Sequence, residues 1–264
     1  MTAPTAATAK RALTTPATLW RGTTTLQPGR LVFAGAVAGT DVHAHAAIQI
    51  LVVTTGQVEL ADTHGTRAAV HAAIIPTRAR HAVQASPDAT ATMIYVDPAS
   101  TADNHLVTEL TGGGRDRVQG WAAAAHTILP PAADLPGALT ALLRGYGTPH
   151  PVRHPVLRAA LELLPNLLAS PVRLADLAAA VGLSASRLGH LFAAELALPF
   201  PAYLRWARLR RALELAREGA SLTQAAHGAG FADSSHLTRV CREMFGLAPS
   251  HLLHAIGPDT ADAV

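Results

Sequence analysis

The feature that most constrains this chain is a repeat near its C-terminus. Residues 174–181 read as a short amphipathic helix stopped by Gly182-Leu183-Ser184. Ser184 is placed to cap the next helix, Ala185–Leu196, whose inward face is Leu188, Leu191 and Phe192. The pattern then returns: a short helix over Leu222–Ala229, a turn at Gly230-Phe231-Ala232, and Asp233 as the cap of Ser234–Phe245. Leu174 matches Leu222, Ala178 matches Ala226 and Gly182 matches Gly230, each pair 48 positions apart. The small alanine lets two helices approach closely, and the glycine supplies the positive φ of the turn. Between the units a longer helix is predicted over Tyr203–Glu218. Its packing candidates are Tyr203, Leu204, Ala207, Ala212, Leu213 and Ala216, with Arg205, Arg208, Arg210 and Arg211 on its other faces.

A helix, a glycine turn and a capped helix make up a helix-turn-helix. Two such units joined by one helix are far more specific than one. The charge agrees: residues 153–254 hold 11 arginines against seven acids, whereas residues 1–152 hold ten basic and nine acidic side chains. The positive excess therefore sits where a nucleic-acid partner requires it.

Residues from about 155 to 254 resemble the DNA-binding domain of AraC/XylS-family transcription regulators. The resemblance rests on Leu177-Ala178-x-x-Val181-Gly182-Leu183-Ser184, on Phe192 followed by Tyr203-Leu204 and Arg208-Leu209-x-x-Ala212, and on Ala226-x-x-x-Gly230-Phe231-x-Asp233-x-x-x-Leu237-x-x-x-Cys241-Arg242. Phe245-Gly246-Leu247-Ala248-Pro249 closes the run as in that family. The chain departs from the pattern at Ala197, where a glycine is common, at Pro199-Phe200-Pro201, where Ser-Pro is usual, and at Cys241, usually aromatic and read here as a small core residue.

The resemblance implies that both recognition helices enter successive major-groove segments. It places base contacts at Ser186, Gly189, His190, Ser235, His236, Thr238 and Arg239. Helix phase agrees, setting Ser186, Arg187, Gly189 and His190 opposite the first inward face, and Ser234, Ser235, His236, Thr238 and Arg239 opposite Leu237, Val240 and Cys241. Arg239 is the candidate for a bidentate guanine contact. Arg187 and Arg242, with the helix N-termini at Ser184 and Asp233, suit phosphates. Gly189 has no side chain to read with, so sequence preference is expected to lean on the second helix and on DNA shape.

The first half reads differently. Strands are predicted at Leu31–Ala38, Ile48–Thr54, Gln57–Ala61, Ala69–Ile75 and Thr90–Tyr95, punctuated by glycines and Pro76, as in a small barrel or sandwich. His43-Ala-His45-x-x-x-Gln49, with Gly56 beyond, resembles the first cupin motif with Gln in place of Glu. Residues 76–81, ending in His81, resemble the second motif, with Arg78 where glycine is usual. In a strand, His43 and His45 would share one face. With Gln49 and His81 they would complete a three-nitrogen, one-oxygen metal site for Fe, Mn, Ni or Zn. The other reading has the same four residues bind an organic effector or one another without a metal. His64 and His71 fall outside both motifs and are assigned to surface or packing.

Hydrophobic residues at 49% and charged residues at 15% supply real cores. The longest apolar run, Ala46–Val53, is interrupted by Gln49 and is far shorter than a bilayer span. With no secretory pattern in residues 1–18 and Cys241 as its single cysteine, the chain is expected in the cytoplasm without a disulfide framework. Gly112-Gly113-Gly114 lacks a following Gly-Lys-Ser/Thr and reads as a loop. No triad or paired carboxylates near the barrel argue for an enzyme. The expectation is an α+β two-domain, one-component transcription regulator. It comprises a flexible arm (1–18), a cupin-like effector-binding barrel (19–98), a helical connector (99–152), a double helix-turn-helix domain (153–257) and a tail (258–264). Its partners would be promoter DNA, a small-molecule effector, RNA polymerase and a second copy, with no membrane. Helices are predicted at Asp103–Leu110, Leu135–Leu143 and Pro155–Leu168, and Leu135, Leu139, Leu142 and Leu143 make an apolar stripe read either as a dimer seam or as core. The alternative class is a metal-dependent sensor or cupin enzyme, dioxygenase- or isomerase-like, fused to a DNA reader.

Overall fold

The computed structural model describes residues 20–100, 114–128 and 154–249. The arm, the tail, and the helices and apolar stripe expected at 103–110 and 135–143 lie outside the described residues.

Eight antiparallel strands come first: β1 (Arg21–Gln27), β2 (Arg30–Ala36), β3 (Ile48–Thr55), β4 (Val58–Asp62), β5 (Arg67–Val70), β6 (Ala72–Ile75), β7 (His81–Ala85) and β8 (Thr90–Val96). They form a five-stranded sheet in the order β1-β2-β8-β3-β6 and a three-stranded sheet in the order β5-β4-β7. Residues of both sheets share one apolar core. Among the described residues no continuous ladder closes the two sheets into the expected barrel, and an isolated bridge between His43 and His81 ties the 43–45 segment to β7. β3 is buried on both faces from Ile48 to Val53, which is why its sequence is an unbroken apolar run around Gln49.

Three strand expectations are corrected. The predicted strand Ala69–Ile75 breaks at His71: β5 joins the small sheet, β6 joins the large one, and the His71 carbonyl accepts from Val53 N at 2.8 Å. β1 and β7, neither of them predicted, complete the sheets. His43 and His45 lie in an irregular segment, so period-two alternation does not place them.

After a single 3₁₀ turn at Pro98–Ser100, α1 (Val118–Ile128) packs across β6, and its Trp121 is fully buried. Asp62 at the end of β4 accepts from the Val118 backbone N–H at 3.2 Å, seating the start of this helix.

The helical unit has α2 (Pro155–Leu163), a 3₁₀ extension at Leu164–Leu167, α3 (Leu174–Ala180), α4 (Ala185–Leu196), α5 (Phe200–Arg217), α6 (Leu222–Gly228) and α7 (Ser234–Phe245). The predicted caps form: Ser184 Oγ accepts from Arg187 N and Asp233 Oδ1 from His236 N, while Ser221 and Gln224 make a reciprocal capping box. Gly230 takes φ +81°, and a Cβ there would lie 1.9 Å from the Leu168 carbonyl oxygen. Ala197 performs the left-handed helix stop at φ +53°, where a glycine would be unstrained. α5 begins at Phe200 rather than Tyr203 because Pro199 is its N-cap and Pro201 sits in the first turn, where a missing N–H costs nothing. The side chains it buries are Phe200, Tyr203, Trp206, Leu209, Ala212 and Leu213; Leu204, Ala207 and Ala216 are only half-buried.

Candidate nucleic-acid interface and histidine site

The two capped helices α4 and α7 carry the predicted DNA-reading residues, and the fold separates those residues by exposure. Ser186, Arg187 and His190 on α4, and Ser235, Arg239 and Arg242 on α7, are exposed. Gly189 faces inward instead: a Cβ there would lie 3.3 Å from Leu174 Cδ2, so it serves the packing of α4 on α3. His236 is half-buried and sits edge-on to Phe231 at 5.3 Å between ring centres. Thr238 spends its hydroxyl on the Ser234 carbonyl at 2.8 Å, leaving its methyl group for a partner. Ser234, Ser235, Thr238, Arg239 and Arg242 line one shallow surface depression with Asp233.

The arginines divide the same way. Arg205 pairs with Glu243, Arg210 with Asp97, and Arg211 with Glu214 and Glu218, while Arg208 donates to the Ser170 carbonyl at 2.9 Å. Arg205, Arg208, Arg210 and Arg211 of α5 thus each have a partner within the fold. Arg187, Arg239 and Arg242 make no ion pair among the described residues, and they carry positive charge outward.

The second cluster lies in the N-terminal unit. His43, His45, Gln49 and His81 come together from the 43–45 segment, from β3 and from the start of β7, and each is at most 3% exposed. Each imidazole Nδ1 meets a backbone carbonyl: Asp41 at 2.9 Å for His43, Ala47 at 2.6 Å for His45 and Ala79 at 3.0 Å for His81. The Gln49 amide lies 2.8 Å from His45 Nε2 and 3.1 Å from His81 Nε2, and its other end reaches Met93 Sδ at 3.4 Å. Burial, with the neighbouring His45, lowers the His43 pKa to about 4; burial also lowers those of His45 and His81. All three rings are therefore neutral near pH 7. One ligand atom from each of the three histidines lies within 4.8 Å of the others, so the donor set is compatible with a metal ion. Arg78, at the position where the motif expects glycine, indeed adopts φ +65°, and its N–H donates to the His45 carbonyl at 2.8 Å.

The two sites adjoin. Ala44 N donates to the Glu243 carbonyl of α7 at 3.1 Å. Gly246, the left-handed C-cap of α7, packs so closely that a Cβ would lie 2.8 Å from Thr40 Cβ and 3.0 Å from His43 Nδ1. Tyr95 of β8 stands edge-on to His45 at 5.4 Å on one side and to Phe245 at 4.9 Å on the other. Behind them Asp97 accepts from Trp206 Nε1 at 3.2 Å and from Arg210 Nη1 at 2.5 Å. A cavity of about 490 Å³ opens at this junction, walled by His43, His45, Arg78 and Arg80 from the first unit and by Arg205 and Glu243 from the second. Sequence reasoning missed Tyr95, Asp97 and Trp206, because no local pattern marks a contact between elements so far apart in the chain.

Residues 177–255 match a family model described as a helix-turn-helix domain. The C-terminal unit is an AraC-type helix-turn-helix domain. A comparison with curated proteins found no match. Among solved structures, an apo variant of ToxT from Vibrio cholerae strain SCE256 aligns over 90% of this chain and 100% of its own, with a TM-score of 0.53 at 14% identity. Wild-type ToxT of that strain, solved with an unsaturated fatty acid, aligns over 87% and 96% with a TM-score of 0.52 at 13% identity. ToxT of V. cholerae O395, bound to (E)-4-(8-methylnaphthalen-1-yl)but-3-enoic acid, aligns over 87% and 100% with a TM-score of 0.52 at 12% identity. At these identities the likeness is one of fold: an antiparallel β unit followed by the AraC-type helical domain. No single helix among the described residues is long and apolar enough to cross a membrane.

Proposed function

We propose that the protein is a sequence-specific transcription regulator whose hold on DNA is set by a small effector bound between its two units. The AraC-type domain supplies the reader. Arg239 takes a guanine edge, Ser186, His190, Ser235 and His236 take neighbouring bases, and Arg187, Arg242 and the N-terminus of α7 at Ser234 take phosphates. The observation that carries the control is the seating of α7: its C-terminal turn rests on the 43–45 segment at the wall of the junction cavity. A ligand in that cavity touches both units at once, so it couples sensor to reader through differential contacts in two arrangements.

The cavity wall supports one class of ligand. Arg78, Arg80 and Arg205 surround it with one acid, Glu243, so a carboxylate-bearing molecule of the kind held by the ToxT structures is the candidate effector. In this reading residues 19–98 sense, 99–152 connect and mediate a homodimer, and 153–257 bind promoter DNA and engage RNA polymerase. The chemistry is regulatory rather than enzymatic.

The test is a duplex selected from a random library by the full-length protein, followed by fluorescence anisotropy with and without oleate. The expected results are a selected consensus, its loss in an Arg239→Ala, His236→Ala pair, and a change in affinity with oleate that Arg78→Ala, Arg80→Ala removes. Unchanged preference in the first pair overturns the assignment of readers. An oleate response that survives the second pair overturns the cavity as the effector site.

A further inference from the structure

Glu243 is the only acid among the described residues that wall the junction cavity, and two arginines lie within its reach. The first is on α5: Glu243 Oε2 accepts from Arg205 Nη1 at 3.3 Å. The two side chains are 61% and 52% exposed, so water screens this pair and it is weak enough to exchange. The backbone of Glu243 is held separately, since its carbonyl accepts from Ala44 N at 3.1 Å. The carboxylate can therefore change partners while the residue stays in place. The second arginine is on α7 itself. Arg239 stands four residues before Glu243, and side chains with that spacing are neighbours on one helix face, about 5–6 Å apart at Cβ. Arg239 is exposed, makes no ion pair among the described residues, and lines the surface depression of the reading face. One carboxylate thus stands between the arginine of the effector cavity and the arginine assigned to guanine.

We propose that Glu243 is a switch shared by Arg205 and Arg239. Without effector Arg205 holds it, and Arg239 is free to take guanine. An effector carboxylate that claims Arg205 releases Glu243 to Arg239 and lowers affinity for the preferred sequence. The inference rests on the regulator reading above and gives it a direction and a route. The exchange replaces one exposed ion pair by another, so it costs little. The drive comes from the ligand, whose carboxylate gains charge-assisted bonds to Arg205 and to Arg78 and Arg80 across the cavity. An Arg239 guanidinium engaged by a carboxylate one turn away must break that pair before it can bond a guanine edge bidentately. The effect therefore falls on the preferred sequence rather than on DNA in general. A neutral ligand of the same shape has no charge to offer Arg205 and leaves Glu243 where it is.

The experiment uses full-length protein and two duplexes, the selected one and a scrambled one of equal length, and reads the ratio of their affinities by fluorescence anisotropy. In ligand-free protein Arg205→Ala releases Glu243 and should lower the ratio about two- to fivefold. Adding Glu243→Gln should restore it, and Arg205→Lys, which keeps the cation, should preserve it. Mere loss of positive charge or of packing lowers both affinities together and is not repaired by Glu243→Gln. Oleate should lower the ratio in the wild type, and methyl oleate should not. The single variant Glu243→Gln should bind oleate at least as tightly as the wild type, by calorimetry, while its ratio stays fixed. A wild-type ratio in Arg205→Ala, a loss that Glu243→Gln fails to repair, or an oleate response that persists in Glu243→Gln overturns the switch. Failure of the regulator reading looks different. Unchanged preference in the Arg239→Ala, His236→Ala pair removes the reader. A wild type indifferent to oleate, with the ligand-free variants behaving as expected, overturns the effector's part and leaves the exchange between Arg205 and Arg239 standing.

Discussion

Asp97 is the residue on which the joint between the two units depends most heavily. Its side chain is 5% exposed and that of Arg210 is 19% exposed, so this ion pair lies out of solvent and is worth more than a surface pair. Oδ2 accepts from Arg210 and from the Trp206 indole, and Oδ1 accepts from Ala99 N at 2.8 Å. Against the desolvation of its burial, Asp97 leads the charges that raise the Arg210 pKa, so the guanidinium stays ionised at every accessible pH. Asp97→Ala therefore leaves a largely buried cation and an indole N–H without their acceptor. Removing one partner of a buried pair costs about 3–5 kcal/mol, and the Glu214 carboxylate, 3.9 Å from Arg210, argues for the lower end. Arg210→Met should cost less, since Asp97 keeps its Trp206 and Ala99 donors. The double variant should regain part of the loss, with a coupling energy of about 1–3 kcal/mol. Urea unfolding of the full chain followed by tryptophan fluorescence measures all four corners of the cycle. A loss below about 1 kcal/mol for Asp97→Ala, or strict additivity in the double variant, would refute the claim that this pair holds the units together.

Acid should loosen the sensor before it affects the reader. The folded-state pKa of His43 lies near 4, below its ordinary 6.5, so the unfolded chain binds more protons between those values. Stability is then full above about pH 6.5 and falls as the pH drops, with His43 alone contributing about 3 kcal/mol by pH 4; flat urea midpoints from pH 7 to 4 would contradict it. Gly246→Ala should cost at least about 1 kcal/mol from its φ of +67°, with more from the Thr40 contact, and it should increase protease cleavage between the units; wild-type midpoints and cleavage would count against the close seating of α7. Affinity for duplex DNA should fall steeply with salt, Arg242→Ala should reduce the slope by about one, and Arg239→Ala should cost about 1–3 kcal/mol only on the preferred sequence. A salt-independent affinity would contradict phosphate contact by these arginines.

The helical unit was legible in detail because its signals are local. Ser184 and Asp233 satisfy backbone donors three residues on, Gly182 and Gly230 take φ values of +72° and +81°, and the apolar spacing of each helix names its buried face. The start of α5 was less legible, since Pro199 and Pro201 permit an earlier start than the apolar pattern suggests. In the β unit only half of the information is local. Ala69–Ile75 reads as one strand, yet its two halves serve different sheets, because pairing partners from distant segments decide where a strand breaks. The same holds for the four-residue cluster. Its membership could be named from the resemblance to the cupin motifs, but His43 and His45 are positioned by the bridge to His81 and by turn carbonyls rather than by strand alternation.

What the sequence alone determined is the class of the molecule: a paired helix-turn-helix reader with outward arginines behind a β-rich unit holding a histidine cluster. Caps, turns and periodicity are interactions within a few residues, so they survive in the one-dimensional record. What only the tertiary structure decided is that the cluster lies beneath the second recognition helix, that Gly189 packs inward, and that most arginines of α5 are held by acids. Asp97 and Arg210 stand 113 positions apart, and nothing in either neighbourhood names the other. Their pairing follows from which buried surfaces the whole chain brings together, a choice made by the total burial of apolar area and not by any local preference.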